Sequence, residues 1–468
     1  MAKGKLKKRD LVRIGIKNGR AIGVIVNVLY TTFKDATKEQ KLDLLTAIKA
    51  NPQQYLEHEQ LAKVAEEIMR VEGIKLENGI HELTGKAAFE VFGKSYIDES
   101  TLDQMYTAIK LPVAVGGALM PDAHVGYGLP IGGVLATEQT VIPYGVGVDI
   151  GCRMCLSVFD IPTDDLTTHH DTFQKELVKN TRFGQFEVFE KPLEDPIFER
   201  EEFRQIGVAR RLKQRAVNQI GSSGGGNHFV EFSTVKIVDP ENEWGLAVGT
   251  YVGLLSHSGS RGLGAAIANY YTKMAKKQCK LPKGAQHLAW LELNSELGHD
   301  YWRAMNLAGD YASACHDHIH RRVAKALNER PLFRVENHHN FAWKEKWNGK
   351  DVIVHRKGAT PAGKGVLGII PGSMTDPGFI VRGRGVESSL NSASHGAGRR
   401  MSRRVAKANL NKSEVDKHLA KHGVSVVGAG LDEAPMAYKD IREVMRHQTD
   451  LVDIVGEFVP KIVRMAHD

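Results

Sequence analysis

From about Leu111 the chain breaks into short apolar runs cut by glycine: "LPVAVGGALM", "IGGVLAT" and "VIPYGVGVDIGC". This texture constrains the fold more than any other feature. Runs of four to eight apolar residues bounded by glycine suit buried strands joined by tight turns, and they are too short and too interrupted for helices. Helical patterns frame this region. Residues 37 to 72 carry Leu61, Val64, Ala65 and Ile68 at helical spacing, Thr37 and Gln40 form a candidate capping box, and Gly73 is placed to end the segment. Further helices are expected over Ala265 to Lys277, Leu291 to Asn328, Ser402 to His422 and Tyr438 to Met465. With no internal repeat and no low-complexity linker, the expected architecture is α+β. A single large catalytic domain over residues 96–468, with mixed and antiparallel sheets flanked by helices, carries an N-terminal helical elaboration over residues 1–95.

No run of about 18 apolar residues is present, and the basic start "MAKGKLKKRD" has no apolar stretch behind it, so the expectation is a cytoplasmic protein without a membrane span or secretory signal. Four cysteines in 468 residues make no disulfide framework, so an essential cysteine is a ligand or a nucleophile. The net charge of +8 is gathered in islands at Lys3 to Arg9, Arg210 to Arg215, His320 to Lys325 and the stretch after His395. Such clustering favours a polyanionic partner, although solvated helix faces account for part of it.

Several polar residues sit where an apolar strand-and-turn texture does not call for them. Asp149 and Cys152 interrupt "GVGVDIGCRM", and a carboxylate buried there is costly unless paired or bound to a cation. Asn227 and His228 follow three glycines, His257 ends an apolar run before the turn that reaches Arg261, and His338, His339 and Asn340 sit between Val335 and Phe341. Each histidine alone reads as a satisfied structural residue, and Cys152 alone as a small buried hydrophobe or half of a redox pair with Cys155. Together they form a thiolate, imidazole and carboxylate set that suits Zn, Mn, Fe or Co rather than Mg or Ca. Their scatter along the chain argues for a catalytic site assembled by the fold, and about five ligands are enough for two metals sharing a thiolate. "HSGSRG", "HRKGATPAGKG" and "IIPGSM" supply the N–H groups, hydroxyls and cations of phosphate loops, although neither a Walker loop nor a Rossmann fingerprint is present.

The ordered motifs "PDAHVGYGLPIGG", "GVGVDIGC", "GGGNHFVEF", "HSGSRG", "HHN", "HRKGATPA", "IPGSM", "HGAGRRMSR" and "DEAPMAYKDI" resemble the RtcB family of GTP-dependent RNA ligases, from about Pro121 to Ile441. The resemblance implies an enzyme that joins an RNA 3′-phosphate, or a 2′,3′-cyclic phosphate after hydrolysis, to a 5′-hydroxyl, in tRNA splicing or RNA repair. It implies Asp149, Cys152, His228, His257 and His339 as ligands of two Mn²⁺ ions bridged by Cys152, and His395 as the residue that takes GMP from GTP. Asn227, His228, Glu231, Ser373, His395, Gly396, Ala397, Gly398 and Tyr438 fall at nucleotide positions, and Arg261, Lys357, Arg399 and Arg403 at positions that hold phosphates of GTP or RNA. Arg399 and Arg403 would share a helix face if the segment after Gly398 were helical. Expected partners are tRNA halves or broken RNA and an archease-type activator, with the ligase itself a monomer. Two departures stand out: the chain ends "VPKIVRMAHD" where the family has a lysine–glycine tail, and its helical N-terminus is long. The alternatives are a paralogue with altered RNA or nucleotide specificity, a non-catalytic RNA-binding relative, and a metallohydrolase, which would have no need of His395.

Overall fold

A computed structural model describes residues 6–16, 19–56, 58, 60–72, 80–184 and 186–467, so Gly73 lies outside the described residues. The chain forms two compact units, Met1–Gly79 and Ile80–Asp468. Residues 80–95, assigned to the N-terminal elaboration from sequence, group with the second unit, because the strand Phe89–Val91 pairs in parallel with Gly117 to Leu119.

The first unit is helical: Lys8–Arg13, Gly19–Thr32, Lys38–Ala50 and Ala62–Glu72. Gln40 N donates to Thr37 Oγ1 at 3.2 Å and Thr37 N to Gln40 Oε1 at 2.8 Å, a reciprocal cap that starts the third helix. Leu11, Ile25, Leu29, Leu45, Ile48, Val64 and Ile68 are buried together in a small core of its own.

The second unit is built on two sheets. The smaller runs in the order Phe89–Val91, Ala114–His124, Ile131–Thr137, Lys350–Lys357, Asn340–Trp347. The larger runs Leu367–Ile370, Gly378–Gly383, Val452–Met465, Phe229–Ile237, Gly249–Ser258, Arg153–Phe159, Phe333–His338, antiparallel throughout, with Ser425–Val427 added in parallel to the long C-terminal strand. Every residue of Arg153–Phe159 is buried, which is why "RMCLSVF" reads as a continuous run with no polar face. The helix Glu296–Leu327 lies against this sheet, its Ile319 and Val323 in one core with Phe159, Phe232 and Leu254.

One expectation fails outright. Tyr438 to Met465 is not a helix: it holds the short helix Ile441–Arg446 and then the 14-residue strand Val452–Met465. Val452, Ile454, Val455, Val459, Ile462 and Val463 are β-branched and Pro460 would break a helix interior, so pairing on both sides wins over the approximate helical spacing. Ser402 to His422 likewise divides into Arg403–Asn409 and Lys412–Lys421. Leu291 and Glu292 form a short strand before the long helix begins. Among the described residues no helix is long and apolar enough to cross a membrane.

Candidate active site

Antiparallel register explains how distant residues meet. Phe229 and Met154 both pair with His257, and Arg153 pairs with His338. The starts of two strands and the ends of their two neighbours therefore lie at one edge of the sheet. There the chain places Cys152, His228, His257 and His339. Cys152 Sγ is 3.1 Å from His257 Nε2 and 3.6 Å from His228 Nε2, and His257 Nε2 is 3.3 Å from His339 Nε2. Asp149, one turn before Cys152, brings Oδ2 to 2.9 Å from His228 Nε2. His338 turns to the opposite face and stacks on Trp343.

The hydrogen bonds around this cluster fix its chemistry. His228 Nδ1 lies 2.6 Å from the Ser223 carbonyl and His257 Nδ1 3.0 Å from the Asn227 carbonyl. A carbonyl only accepts, so both Nδ1 atoms carry the proton; the His257 Nε2 then faces the Cys152 sulfur, while the His228 Nε2 faces the Asp149 carboxylate with the sulfur farther off. His339 Nδ1 is buried without a hydrogen-bond partner among the described residues. Burial pushes the His257 ring down to about 3 and the His339 ring well below its ordinary value, so neither becomes charged to relieve the crowding of lone pairs. Burial and the adjacent Asp149 raise the Cys152 thiol well above its usual range. Burial would also raise Asp149, but His228 and Cys152 hold its carboxyl low. A thiol and a carboxylate that meet three imidazoles, one of them with an Nδ1 lacking a hydrogen-bond partner among the described residues, are an arrangement that a divalent transition-metal cation satisfies.

Asp149 is itself held. Ser260 N donates to Oδ1 at 3.1 Å, from the residue that opens the helix Arg261–Gln278. Gly259 leaves the room, because a Cβ there would sit 2.1 Å from Asp149 Oδ1.

His395 stands next to this edge, its ring centroid 5.0 Å from that of His339. The strand Ser392–Ser394 delivers it, and the turn that follows depends on Gly398, whose φ is +70° and whose added Cβ would lie 2.0 Å from the Asp122 carbonyl oxygen. Asp122, fully buried, brings Oδ2 to 2.6 Å from His395 Nδ1 and accepts from His395 N at 3.1 Å. Burial pushes the Asp122 carboxyl up, but His395, His124 and Lys439 outweigh it and keep the carboxyl low. The Lys439 ammonium donates to the carbonyls of Ala123 and Tyr96 at 2.7 and 2.8 Å, tying down the Asp122 segment. Sequence reasoning passed over Asp122 and Lys439, although a carboxylate inside the apolar run "ALMPDAH" carries the same signal that singled out Asp149.

A cavity opens from His257, and Asn227, Glu231, Ser373 and Tyr438 all line it, with Phe229, Phe458 and Met465 as apolar walls. The Glu231 carboxyl has no hydrogen-bond or ionic partner among the described residues, and burial pushes it up to about 8. Gly396 packs near Pro371, while Ala397 is buried beside it.

The four basic candidates differ in their company. Arg261 donates to Ser222 Oγ and the Gly184 carbonyl at 3.1 and 3.0 Å, beside the loop that carries His228. Lys357 donates to the carbonyls of Tyr127 and Leu129 at 2.6 and 3.1 Å, and burial lowers it to about 7. Arg399 and Arg403 do not share a helix, because Ser402 caps a helix that only starts at Arg403. They converge instead on an acidic pair: Arg399 Nη1 lies 3.3 Å from Glu433 Oε2 and Arg403 Nη1 2.8 Å from Asp432 Oδ2. The Tyr438 hydroxyl also donates to Glu433, and Arg399 lies over the Tyr438 ring.

The family model described as tRNA-splicing ligase RtcB matches residues 104–206 and 194–466. RNA-splicing ligase RtcB of Escherichia coli K12 is 32% identical over 394 residues, spanning 77% of this chain and 92% of that protein. tRNA-splicing ligase RtcB of Nanoarchaeum equitans is 32% identical over 436 residues, spanning 78% of this chain and 91% of its own length. The Thermococcus kodakarensis protein of the same description is 30% identical over 452 residues, with 79% and 93% covered. With an α+β fold that gathers thiol, imidazoles and carboxylates beside an acid-paired histidine, these matches define an enzyme of the RNA-ligase class. The chain belongs to the RtcB family.

Proposed function

We propose that this chain joins an RNA 3′-phosphate, or a 2′,3′-cyclic phosphate after hydrolysis, to a 5′-hydroxyl, using GTP and a guanylyl group carried on His395. The observation that carries the reading is the Asp122–His395 pair set against the edge of Cys152, His228, His257 and His339. With Nδ1–H donated to Asp122, His395 presents the Nε2 lone pair as the nucleophile. Nε2 forms a bond to the α-phosphorus of GTP, the bond from that phosphorus to the bridging oxygen breaks, and pyrophosphate leaves. An oxygen of the RNA 3′-phosphate then takes the guanylyl group from Nε2. The 5′-hydroxyl oxygen of the second strand attacks the RNA phosphorus, its proton passes to solvent, and GMP leaves.

Asp149, Cys152, His228, His257 and His339 fit two Mn²⁺ ions better than one, with the Cys152 sulfur central to the set. Bound there, the ions neutralise phosphoryl charge and help orient the leaving pyrophosphate. The cavity lined by Asn227, Glu231, Ser373 and Tyr438 takes the guanosine, and the Glu231 carboxyl, without a partner among the described residues, meets the N1–H and amino donors of guanine, a donor pair that adenine does not offer. Gly396, Ala397 and Gly398 keep the approach to His395 small. Arg261, Lys357, Arg399 and Arg403 hold phosphates of GTP or RNA, the last two through guanidinium edges set by Asp432 and Glu433. The same reading makes the enzyme a cytoplasmic monomer acting on tRNA halves or broken RNA, with an archease-type activator.

Ligation of a 3′-phosphate RNA to a 5′-hydroxyl RNA, run with each nucleoside triphosphate in turn, tests this reading. Joining with GTP and not with ATP supports it; joining without any nucleotide, or none with GTP and Mn²⁺, overturns it.

A further inference from the structure

The loop "HVGYGLP" presents Tyr127 to solvent, 68% exposed, on a segment that is otherwise well anchored. Gln104 and Gly126 exchange two hydrogen bonds at 2.7 and 3.0 Å, and the Lys357 ammonium holds the Tyr127 carbonyl at 2.6 Å. The backbone that carries the ring is thus anchored rather than a loose turn. It belongs to a cluster: Tyr127 and Tyr144 meet edge to face at 6.5 Å, Tyr127 and His287 lie 5.8 Å apart, and Tyr144 and His287 4.6 Å apart.

Two cations border the cluster. Lys276 Nζ is 3.2 Å from His287 Nδ1, and Lys357 Nζ lies 4.9 Å from the centre of the Tyr144 ring. Neither has a carboxylate partner among the described residues; Lys276 contacts the imidazole and Lys357 contacts carbonyl oxygens. An exposed aromatic ring on an anchored loop, beside a Lys276 ammonium with no carboxylate partner among the described residues, is the pattern that binds single-stranded nucleic acid, with a base on the ring and phosphate on the cation; Lys357 is buried and already donates to two carbonyls, so it anchors the loop. An apolar protein partner would not need the Lys276 cation.

The location links the cluster to the reacting histidine. Lys357 is followed by Gly358, whose φ is +63° and whose added Cβ would fall 3.1 Å from His395 Cε1. The cluster shares no residue with the cavity lined by Glu231 and Tyr438. A base on Tyr127 therefore does not compete for the residues assigned to guanosine.

We propose that Tyr127, Tyr144 and His287 form a stacking subsite for a nucleobase of the RNA at the ligation junction, with Lys276 holding its phosphate and Lys357 anchoring the loop from beneath; this rests on the RNA-ligase reading of the site. Tyr127 is a positioning residue that orders the RNA end and takes no part in guanylylation of His395.

The test compares the full-length parent with Tyr127→Ala and Tyr127→Phe in two assays. With RNA carrying 2-aminopurine at each nucleotide flanking the junction in turn, stacking quenches the fluorescence at one of the two positions in the parent and in Tyr127→Phe, and the quenching is lost in Tyr127→Ala. In ligation, Tyr127→Ala raises KM for RNA roughly five- to hundredfold, from the usual contribution of one stacked base, while self-guanylylation from GTP proceeds at the parental rate. Parental KM and quenching in Tyr127→Ala, or a Tyr127→Phe that behaves like the alanine variant, overturns the subsite. Absence of guanylylation in all three proteins refutes the proposed chemistry at His395 instead, and the fluorescence assay still decides the stacking.

Discussion

The buried carboxylate of Asp122 reaches both the ring Nδ1 and the main-chain N of His395, at 2.6 and 3.1 Å. One side chain therefore sets the tautomer, the ring orientation and the backbone of the proposed nucleophile. An amide at that position removes the charge and permits the wrong tautomer with little change in volume. Asp122→Asn is expected to fold, to retain its metal, and to lose self-guanylylation by about 10²- to 10⁴-fold, the range seen when an orienting acid is removed from a catalytic histidine. Rapid-quench guanylylation alongside metal analysis checks this. A parental rate would show that Asp122 is only structural.

Gly259 lies against the Asp149 carboxylate, and its added Cβ would be 2.1 Å from Oδ1. Asp149 is short and fixed by Ser260 and His228, so it has little freedom to withdraw without leaving its place. Gly259→Ala is expected to weaken Mn²⁺ binding by about 10- to 100-fold, as changes to groups that orient a ligand do. Titration of Mn²⁺ by calorimetry or electron paramagnetic resonance reads this directly. Unchanged affinity would remove Asp149 from the ligand set.

The buried Glu231 carboxyl is expected to couple pH to stability and to the proposed nucleotide binding. Its carboxyl is pushed by burial from 4.5 to about 8, so between those values the folded protein holds a proton that the unfolded chain has released. The nucleotide-free protein therefore loses stability as pH rises through that window, relative to Glu231→Gln, and the difference is largest in favour of the parent below it. Guanine donors favour the carboxylate, so GTP affinity is expected to rise with pH over the same window and level off near 8. Melting curves and GTP titrations at several pH values give both slopes, and a GTP affinity that falls with pH would contradict the role given to Glu231.

Gly398 and Gly396 flank the same turn but differ in what they tolerate. Gly398 combines φ of +70° with a Cβ overlap at 2.0 Å on the Asp122 carbonyl, whereas the closest approach to a Cβ at Gly396 is 3.3 Å, from the Pro371 carbonyl. Gly398→Ala is expected to cost about 2–4 kcal/mol and to separate His395 from Asp122, lowering Tm and guanylylation together. Gly396→Ala should leave Tm within a few degrees of the parent. Thermal denaturation of the two variants decides between these outcomes.

Local chemistry was legible in the chain and long-range pairing was not. The Thr37–Gln40 cap could be read from four residues, because its hydrogen bonds are local. Cys152, His228, His257 and His339 could be singled out as polar groups at the ends of apolar runs, yet their meeting depends on register between strands nearly two hundred residues apart in sequence. Val452 to Met465 showed the reverse: approximate helical spacing suggested a helix, and two antiparallel partners, Gly378–Gly383 and Phe229–Ile237, made it a strand. Asp122 stayed hidden because its partner lies 273 positions away, and the meeting of Arg399 and Arg403 on Asp432 and Glu433 stayed hidden because the helix that would have put the arginines on one face starts only at Arg403.

The central claim is that His395 carries the guanylyl group, and incubation with α-labelled GTP and Mn²⁺ followed by denaturing separation tests it most directly. The parent should retain a label that is stable to alkali and released by acid, as a phosphorus–nitrogen bond requires, and His395→Ala should retain none. A label that persists in His395→Ala, or a parent that takes up no label, would contradict the account.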